Sequence, residues 1–558
     1  MTLSSACGSH LSGHLSLFQS PISRTILLGA ICFLAITPFF WHGTPSGHDF
    51  EFHMFSWMEV LGQWKQGIVY PRWAALAHWG YGEARFLFYP PASWNLGAAL
   101  GAILPWRVVP GAYIWLVLCL AGLSMFRLAR NWLPPPDALF AAILYAVNPY
   151  HLLIVYWRSA YAELLASALL PILLLWLLRL EQRSLRPVLW LSLTLAAAWL
   201  TNAPAAVMIH YSVAGMAVVL AIVDRSWRPI GKAILAIALG AGLAAFYLVP
   251  AVYEEKWVNI SEVLAPGVRP QDNFLFTTIA DPDHNRFNLL VSTIAICEVG
   301  AAVLAIWLSR AWRQRQRTLW ILLSAWAGIS VLIMFAITDP LWEHLPKLRF
   351  VQLPWRWLLC LNAALAMLLT MAVRRWRVRL LAFSALLAVV VVAGYHIQPP
   401  WWDTAADIRE MSNAIADGSG YEGTDEYVPA GADPYELSKK QPRVANSSGI
   451  AKRTEGMKWG PTEKRFVVQT DRMDLLTLRL FNYPAWEVTV NGEHVETQTT
   501  EVTGQMMIPI TPGRKDIRIR FERTRDRTIG GVLSIISFGV LFALWISTRP
   551  KANTAQPI

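Results

Sequence analysis

Two carboxylates and two imidazoles fall within Gly47-His48-Asp49-Phe50-Glu51-Phe52-His53, directly after the first long apolar run. Ionisable side chains at the mouth of a membrane span are rarely tolerated without a use. Asp49 is therefore the expected reacting acid or base of a membrane enzyme, with Glu51 and His53 beside it. In extended backbone Asp49 and Glu51 point the same way, about 7 Å apart, and could share a proton or a divalent cation. His53 follows one helical turn past Asp49. A carboxylate pair at a headgroup suits Mg or Mn rather than zinc. The plain alternative is a set of solvated residues in a first loop.

Further charges mark the outer ends of other apolar runs. Arg72, between Pro71 and Trp73, could hold a phosphate in bidentate fashion or snorkel at the interface. Arg158 and Glu163 either pair with each other or line the same cavity as Asp49. Arg356, in Gln352-Leu353-Pro354-Trp355-Arg356-Trp357, stands at a span mouth against the charge bias of the outer face, which makes it a phosphate- or carboxylate-binding candidate. Asp281 and Asp283, in Asp281-Pro282-Asp283-His284, are further metal candidates, although Asp-Pro more often makes a turn. His210, alone in an apolar run, reads as a packing residue.

The elements that must hold these groups follow from composition. Of 558 residues, 55% are hydrophobic and 15% charged, which excludes an ordinary soluble chain. Apolar runs of about 20 residues recur along it. The net charge of +11 comes from Arg clusters between those runs, so it reports topology and argues against nucleic-acid binding. The five cysteines show no metal-site spacing, so neither zinc nor a disulfide framework is expected, and no nucleotide cofactor.

Placing the Arg clusters inside gives an all-α polytopic membrane protein of about 12 crossings. Residues 1–24 form a cytoplasmic tail, 25–397 the transmembrane domain, and 43–110 its first outer loop. Within that loop, 53–66 reads as an amphipathic helix lying in the membrane interface. The apolar piece 91–105 is short for a span and reads as re-entrant or lying beside the site. Residues 398–462 read as an irregular outer segment. From Glu463 the apolar residues alternate, and Asn491-Gly492 marks a hairpin, so 463–527 is expected to be a small antiparallel β-sandwich on the outer face. A final span at 528–548 returns the chain to a cytoplasmic tail, 549–558.

Gly47-His48-Asp49, Tyr70-Pro71-Arg72-Trp73, Gly80-Tyr81-Gly82, Phe86-Leu87-Phe88-Tyr89-Pro90-Pro91, Gln352-Leu353-Pro354-Trp355-Arg356 and Asn482-Tyr483-Pro484-Ala485-Trp486 together give a resemblance. The chain resembles the bacterial multi-pass membrane proteins termed 6-pyruvoyl-tetrahydropterin synthase-related, although no pterin chemistry is visible in these residues. That group in turn looks like the GT-C superfamily of glycosyltransferases, which carry an acid in the first outer loop. The resemblance implies sugar transfer from a polyprenyl-phosphate donor to a glycan, lipid or protein acceptor at the outer face of the inner membrane. Asp49 would be the base, and Arg72 or Arg356 would bind the donor phosphate. The competing readings are a transporter or flippase of lipid-linked saccharide, which predicts charges at mid-span, and a non-catalytic envelope assembly protein.

Overall fold

The computed structural model describes residues 20–548. Most of the tail expected over 1–24, and all of the tail expected over 549–558, lie outside the described residues.

Among the described residues, eight helices are long and apolar enough to cross a membrane: Pro21–His42, Val109–Ala129, Pro135–Arg158, Ala203–Asp224, Pro282–Arg315, Pro354–Ala372, Trp376–His396 and Arg525–Ser547. Two further pairs are bent, Arg228–Leu243 with Ala245–Trp257 by 77° and Arg317–Leu332 with Ala336–His344 by 93°. A dozen is reached only by adding Tyr161–Leu177 and the 16-residue Arg186–Thr201. At 1.5 Å per residue these last two span about 25 Å, short of a hydrocarbon core of about 30 Å. Hydropathy counts apolar length and is blind to bends and to helices shortened by burial among neighbours.

The first loop is more deeply integrated than its pattern suggests. Its helix runs Phe50–Lys65 and is packed inside protein rather than lying on the membrane surface: Met54, Trp57 and Val60 are fully buried. One face meets helix Pro91–Gly101, whose Gly97 lies so close to the Trp57 indole that a Cβ would collide with it. The other meets Tyr421, which stacks on Phe55 at 4.4 Å. The 11 residues of Pro91–Gly101 reach about 16 Å, half a bilayer core.

The segment expected to be irregular holds the helix Ala405–Ala416, begun by a capping box in which the Thr404 and Asp407 side chains satisfy each other's backbone. Ahead of it, Trp402–Asp403 pairs antiparallel with Thr44–Pro45 of the first loop.

Two antiparallel sheets follow. One orders its strands Val444–Ala445, Asp474–Phe481, Gln505–Ile510, Gln498–Thr499; the other Thr454–Trp459, Glu463–Thr470, Gly513–Phe521, Trp486–Val490, Glu493–His494. Alternation sets the core: Phe466, Val468, Ile517 and Ile519 are buried, while Arg465 and Arg518 between them point out and pair with Asp516 and Glu463. Asn491 and Gly492 both take positive φ, 54° and 89°, as a tight hairpin turn requires. The sheets begin before residue 463: Val444–Ala445 is only two residues long, and a register shift between Glu455 and Lys458 breaks the alternation of Thr454–Trp459. Their core is continuous with Trp73, Tyr81 and Leu87 of the first loop.

Candidate active site

Gly47 is placed where only a glycine fits. A Cβ there would sit 2.2 Å from the carbonyl oxygen of Trp157. This close approach lets Gly47 N–H donate to Ser159 Oγ at 3.0 Å and Asp49 N–H donate to the Arg158 carbonyl at 2.9 Å. The partner segment is a π-helical turn, Ile154–Arg158, closed by Ser159 with φ of 50°. Such turns tilt side chains off the regular helical face and recur at functional sites. Here the turn brings Arg158 Nη2 to 3.8 Å from the Asp49 carboxylate.

Behind that contact lies a buried charge network. Glu163 accepts from Arg158 Nη1 at 2.5 Å, Arg356 Nε at 3.1 Å and the Tyr150 hydroxyl at 2.5 Å. Arg356 Nη1 donates to the Val351 carbonyl at 2.6 Å and to Gln352 Oε1 at 3.0 Å. The Arg158 guanidinium lies 4.9 Å from the centre of the Trp355 ring. Arg158 and Arg356 are thus fixed by a carboxylate they share, and Glu163 is fully occupied in holding them. Asp49 is different: its side chain is 38% exposed.

The open side of Asp49 faces a cavity of about 490 Å³. Arg356, Glu163, Glu255, Lys347 and Glu426 line it with Asp49, and Val207, Leu248, Val252 and Phe350 are among its apolar lining residues. Those walls come from helix Ala203–Asp224, from the bent pair ending at Trp257, and from the loop before Pro354. Arg356 Nη2 makes no hydrogen bond with the described residues.

The other expected residues separate. The extended pairing of Asp49 with Glu51 does not form, because the chain turns helical at Phe50 and carries Glu51 to the exposed face of the first turn. There burial and the neighbouring Asp403 and Glu422 raise its carboxyl pKa. His53 is 1% exposed among the rings of Phe52, Trp57, Tyr89 and Tyr161 and does not line the cavity. Burial pushes its imidazole down to about 4, so it sits neutral in a core position. Arg72 lies over the Tyr70 ring at 4.5 Å, in the field of Arg527, Glu254 and Arg523, away from Asp49. Asp281 caps helix Pro282–Leu308 through the amides of Asp283 and His284, and Asp283 is exposed beside Arg286 at 3.7 Å. Among the described residues no three His, Cys, Asp or Glu side chains converge, and the metal candidates Asp49, Glu51, Asp281 and Asp283 do not form such a group. His210 is satisfied by Trp199 Nε1 at 3.2 Å and the Ala206 carbonyl at 2.7 Å.

Several cavity residues had not been singled out, Lys347 and Glu426 among them. Lys347 pairs with Glu255 at 3.2 Å, both partly exposed, and its signal was a cation in a loop poor in them. Glu426 comes from the segment that read as irregular and carried no signal. It is held by a strap: Glu83 ion-pairs with Arg85 and with His78 at 3.0 Å, and accepts from the Thr424 amide at 2.9 Å. Burial works to raise the Glu83 carboxyl, but Arg85, His78 and that amide hold it down at about 2. Glu426 itself makes no ion pair among the described residues, and burial, against the weaker pull of Arg85, pushes its carboxyl up to about 7.

Comparison with curated proteins gave no significant match. Among solved structures, the chain is similar to ArnT from Cupriavidus metallidurans in the apo state, with a TM-score of 0.42 and 15% identity over 69% of this chain and 65% of that one. It is also similar to the Archaeoglobus fulgidus oligosaccharyltransferase in the apo form, with a TM-score of 0.38 and 12% identity over 73% of this chain and 56% of that one. The chain thus spans 65% of the first of these proteins and 56% of the second. Residues 86–398, more than half the chain and including Arg158, Glu163 and Arg356, match the 6-pyruvoyl-tetrahydropterin synthase related domain, a membrane protein domain. The chain belongs to the family of 6-pyruvoyl-tetrahydropterin synthase related membrane proteins.

Proposed function

We propose that this protein is a membrane glycosyltransferase of GT-C type that moves a sugar from a polyprenyl-phosphate donor to a hydroxyl-bearing acceptor at the outer face of the inner membrane. In this reading the β-sheet domain lies outside and both termini inside. The observation that carries it is the half-open carboxylate of Asp49, held beside Arg158 and facing a cavity that charged side chains and apolar residues line together. A lipid-linked sugar has that division of character: an isoprenoid chain for the apolar walls, a phosphate for cations, a sugar for the reacting end.

Asp49 accepts the proton of the acceptor hydroxyl as its oxygen attacks the anomeric carbon. The bond from that carbon to the phosphate oxygen breaks, and polyprenyl phosphate leaves with the electron pair. Arg356, through Nη2, and Lys347 stabilise the charge that develops on the leaving phosphate. Arg158 positions Asp49 and remains bound to Glu163. Below its raised pKa Glu426 is protonated and adds no negative charge of its own beside the phosphate.

The test is the profile of lipid-linked sugars and envelope glycans in a deletion strain complemented with wild type or Asp49→Asn at equal protein level. A glycosylated species should vanish on deletion and return with wild type alone. Full restoration by Asp49→Asn would remove Asp49 from the chemistry and favour transport or assembly.

A further inference from the structure

A second cleft, of about 290 Å³, lies farther along the first-loop helix from Asp49. Its walls include Glu59, Gln63 and Gln66 of that helix and Arg443, Trp459 and Arg479 of the sheet domain. Its volume is near the lower end of ligand-sized cavities, about 300–1,000 Å³.

The charges in it are unbalanced. Arg443 is exposed and makes no side-chain hydrogen bond or ion pair among the described residues. Arg479 donates to the Trp79 carbonyl and, at 3.5 Å, to the Gln441 carbonyl and lies by the Tyr81 ring; it has no carboxylate partner among the described residues, and its Nε is buried without a hydrogen bond. Arg443 lies close enough to Arg479 to lower its pKa, after burial and against the effect of Tyr81. Two guanidinium groups held together without a counter-ion repel, and an anion between them relieves that repulsion. The acids present do little to offset them. Glu59 is buried and taken up by the Ala75 and Leu76 amides and, at 2.7 Å, by the Tyr421 hydroxyl. Burial also pushes its carboxyl up to about 7. Asp417, at the rim, accepts from the Ser419 amide at 2.9 Å.

The remaining walls suit a sugar. Trp459 offers an aromatic surface that is only partly buried. Gln66 donates to the Gly62 carbonyl through Nε2, which leaves its Oε1 for a hydroxyl. Gln63 is 2% exposed and its Oε1 has no partner. Flat aromatic faces with amide side chains beside them recognise the apolar faces and hydroxyls of sugar rings, and an arginine fork recognises a carboxylate or phosphate.

We propose that this cleft binds a short saccharide bearing an anionic group, with the anion between Arg443 and Arg479 and a ring against Trp459. The site is separate from the Asp49 cavity and does not depend on the reading of that cavity. The shared chemistry is a sugar with a fixed negative charge; a uronic acid and a sugar phosphate are its two sources.

The detergent-solubilised full chain is titrated with trigalacturonate, glucose 1-phosphate and neutral maltotriose, followed by calorimetry and tryptophan fluorescence. Saturable binding of trigalacturonate assigns a uronic acid glycan, and saturable binding of glucose 1-phosphate a sugar phosphate; maltotriose should not saturate. Arg443→Gln, at an exposed position that leaves the fold intact, should weaken the anionic probe about tenfold or more, the loss expected for a charge-assisted contact. Asp49→Asn should bind as wild type does. The proposal is overturned if neither anionic probe binds, if maltotriose binds as well, if Arg443→Gln changes nothing, or if Asp49→Asn weakens binding and so places the probe in the other cavity.

Discussion

Two buried carboxylates in this molecule have nearly the same surroundings and different consequences. Glu163 is held by Arg158, Arg356 and Tyr150. Glu254 is held by Arg527 through Nε at 2.7 Å and Nη2 at 2.8 Å and by the Tyr483 hydroxyl at 2.6 Å. The second cluster ties the bent helix pair to the closing helix Arg525–Ser547 and to the sheet domain, and its partners are used up. The first leaves Arg356 Nη2 and the Asp49 carboxylate facing a cavity. An arginine–glutamate–tyrosine cluster is by itself a fastening; groups left over beside open space give it a chemical use. A buried ion pair contributes little net stability, yet removing one partner is costly because the other charge is stranded.

That contrast can be broken at either cluster. The largest effect is expected for Asp49→Asn, which should lower transfer by about 10²–10⁴-fold, the usual worth of a general base, while thermal unfolding stays near wild type because the side chain is half-open. A turnover assay and a melting curve on the same preparation check it. Glu254→Gln should cost about 3–5 kcal/mol by stranding Arg527, while donor binding in the surviving folded fraction is retained. Glu163→Gln should cost a similar amount and also lose donor binding, and denaturation with and without donor separates the two. Arg356→Lys should weaken donor binding by about tenfold with the fold intact, since a point-like ammonium lacks the separate nitrogens with which the guanidinium fork reaches Glu163, Val351 and a phosphate on different sides.

The smallest effect concerns pH. Glu426 has a carboxyl raised to about 7, so it is neutral below that pH and charged above it. Affinity for an anionic donor should therefore fall as pH rises through about 7, and Glu426→Gln should flatten that limb. A donor-binding titration from pH 5.5 to about 8.5 reads it. The same sign applies to stability: the raised carboxyl favours the fold at acid pH and ceases to do so as pH rises through about 7.

What the sequence disclosed follows from the reach of local signals. Asp49 stood out because an acid at a span mouth is anomalous whatever surrounds it, and the structure sets it in the lining of a cavity. The strands over 463–521 were legible because alternation records which face is buried, as at Arg465-Phe466-Val467-Val468. Glu51 and His53 could not be placed from spacing, because whether neighbours of Asp49 share its face depends on where the helix begins, and it begins at Phe50. Arg72 could not be placed relative to Asp49 because a loop of that length can carry a side chain to either side of the first-loop helix. Lys347 and Glu426 reach the cavity from far along the chain, through a loop and a strap whose positions depend on the Lys347–Glu255 and Glu83–Thr424 contacts. No local pattern records such contacts. The same limit explains the span count, since bends of 77° and 93° leave the hydropathy of a segment unchanged.

The most direct measurement is the lipid that travels with the protein. Wild type and Asp49→Asn are purified from native membranes in mild detergent, and their bound lipids are identified by mass spectrometry. Without its base, Asp49→Asn should retain an intact polyprenyl-phosphate sugar, whereas wild type should carry the sugar-free polyprenyl phosphate or no polyprenyl lipid. If neither preparation holds a polyprenyl lipid, or both hold the same intact donor in equal amount, the claim that Asp49 drives sugar transfer in this cavity is contradicted.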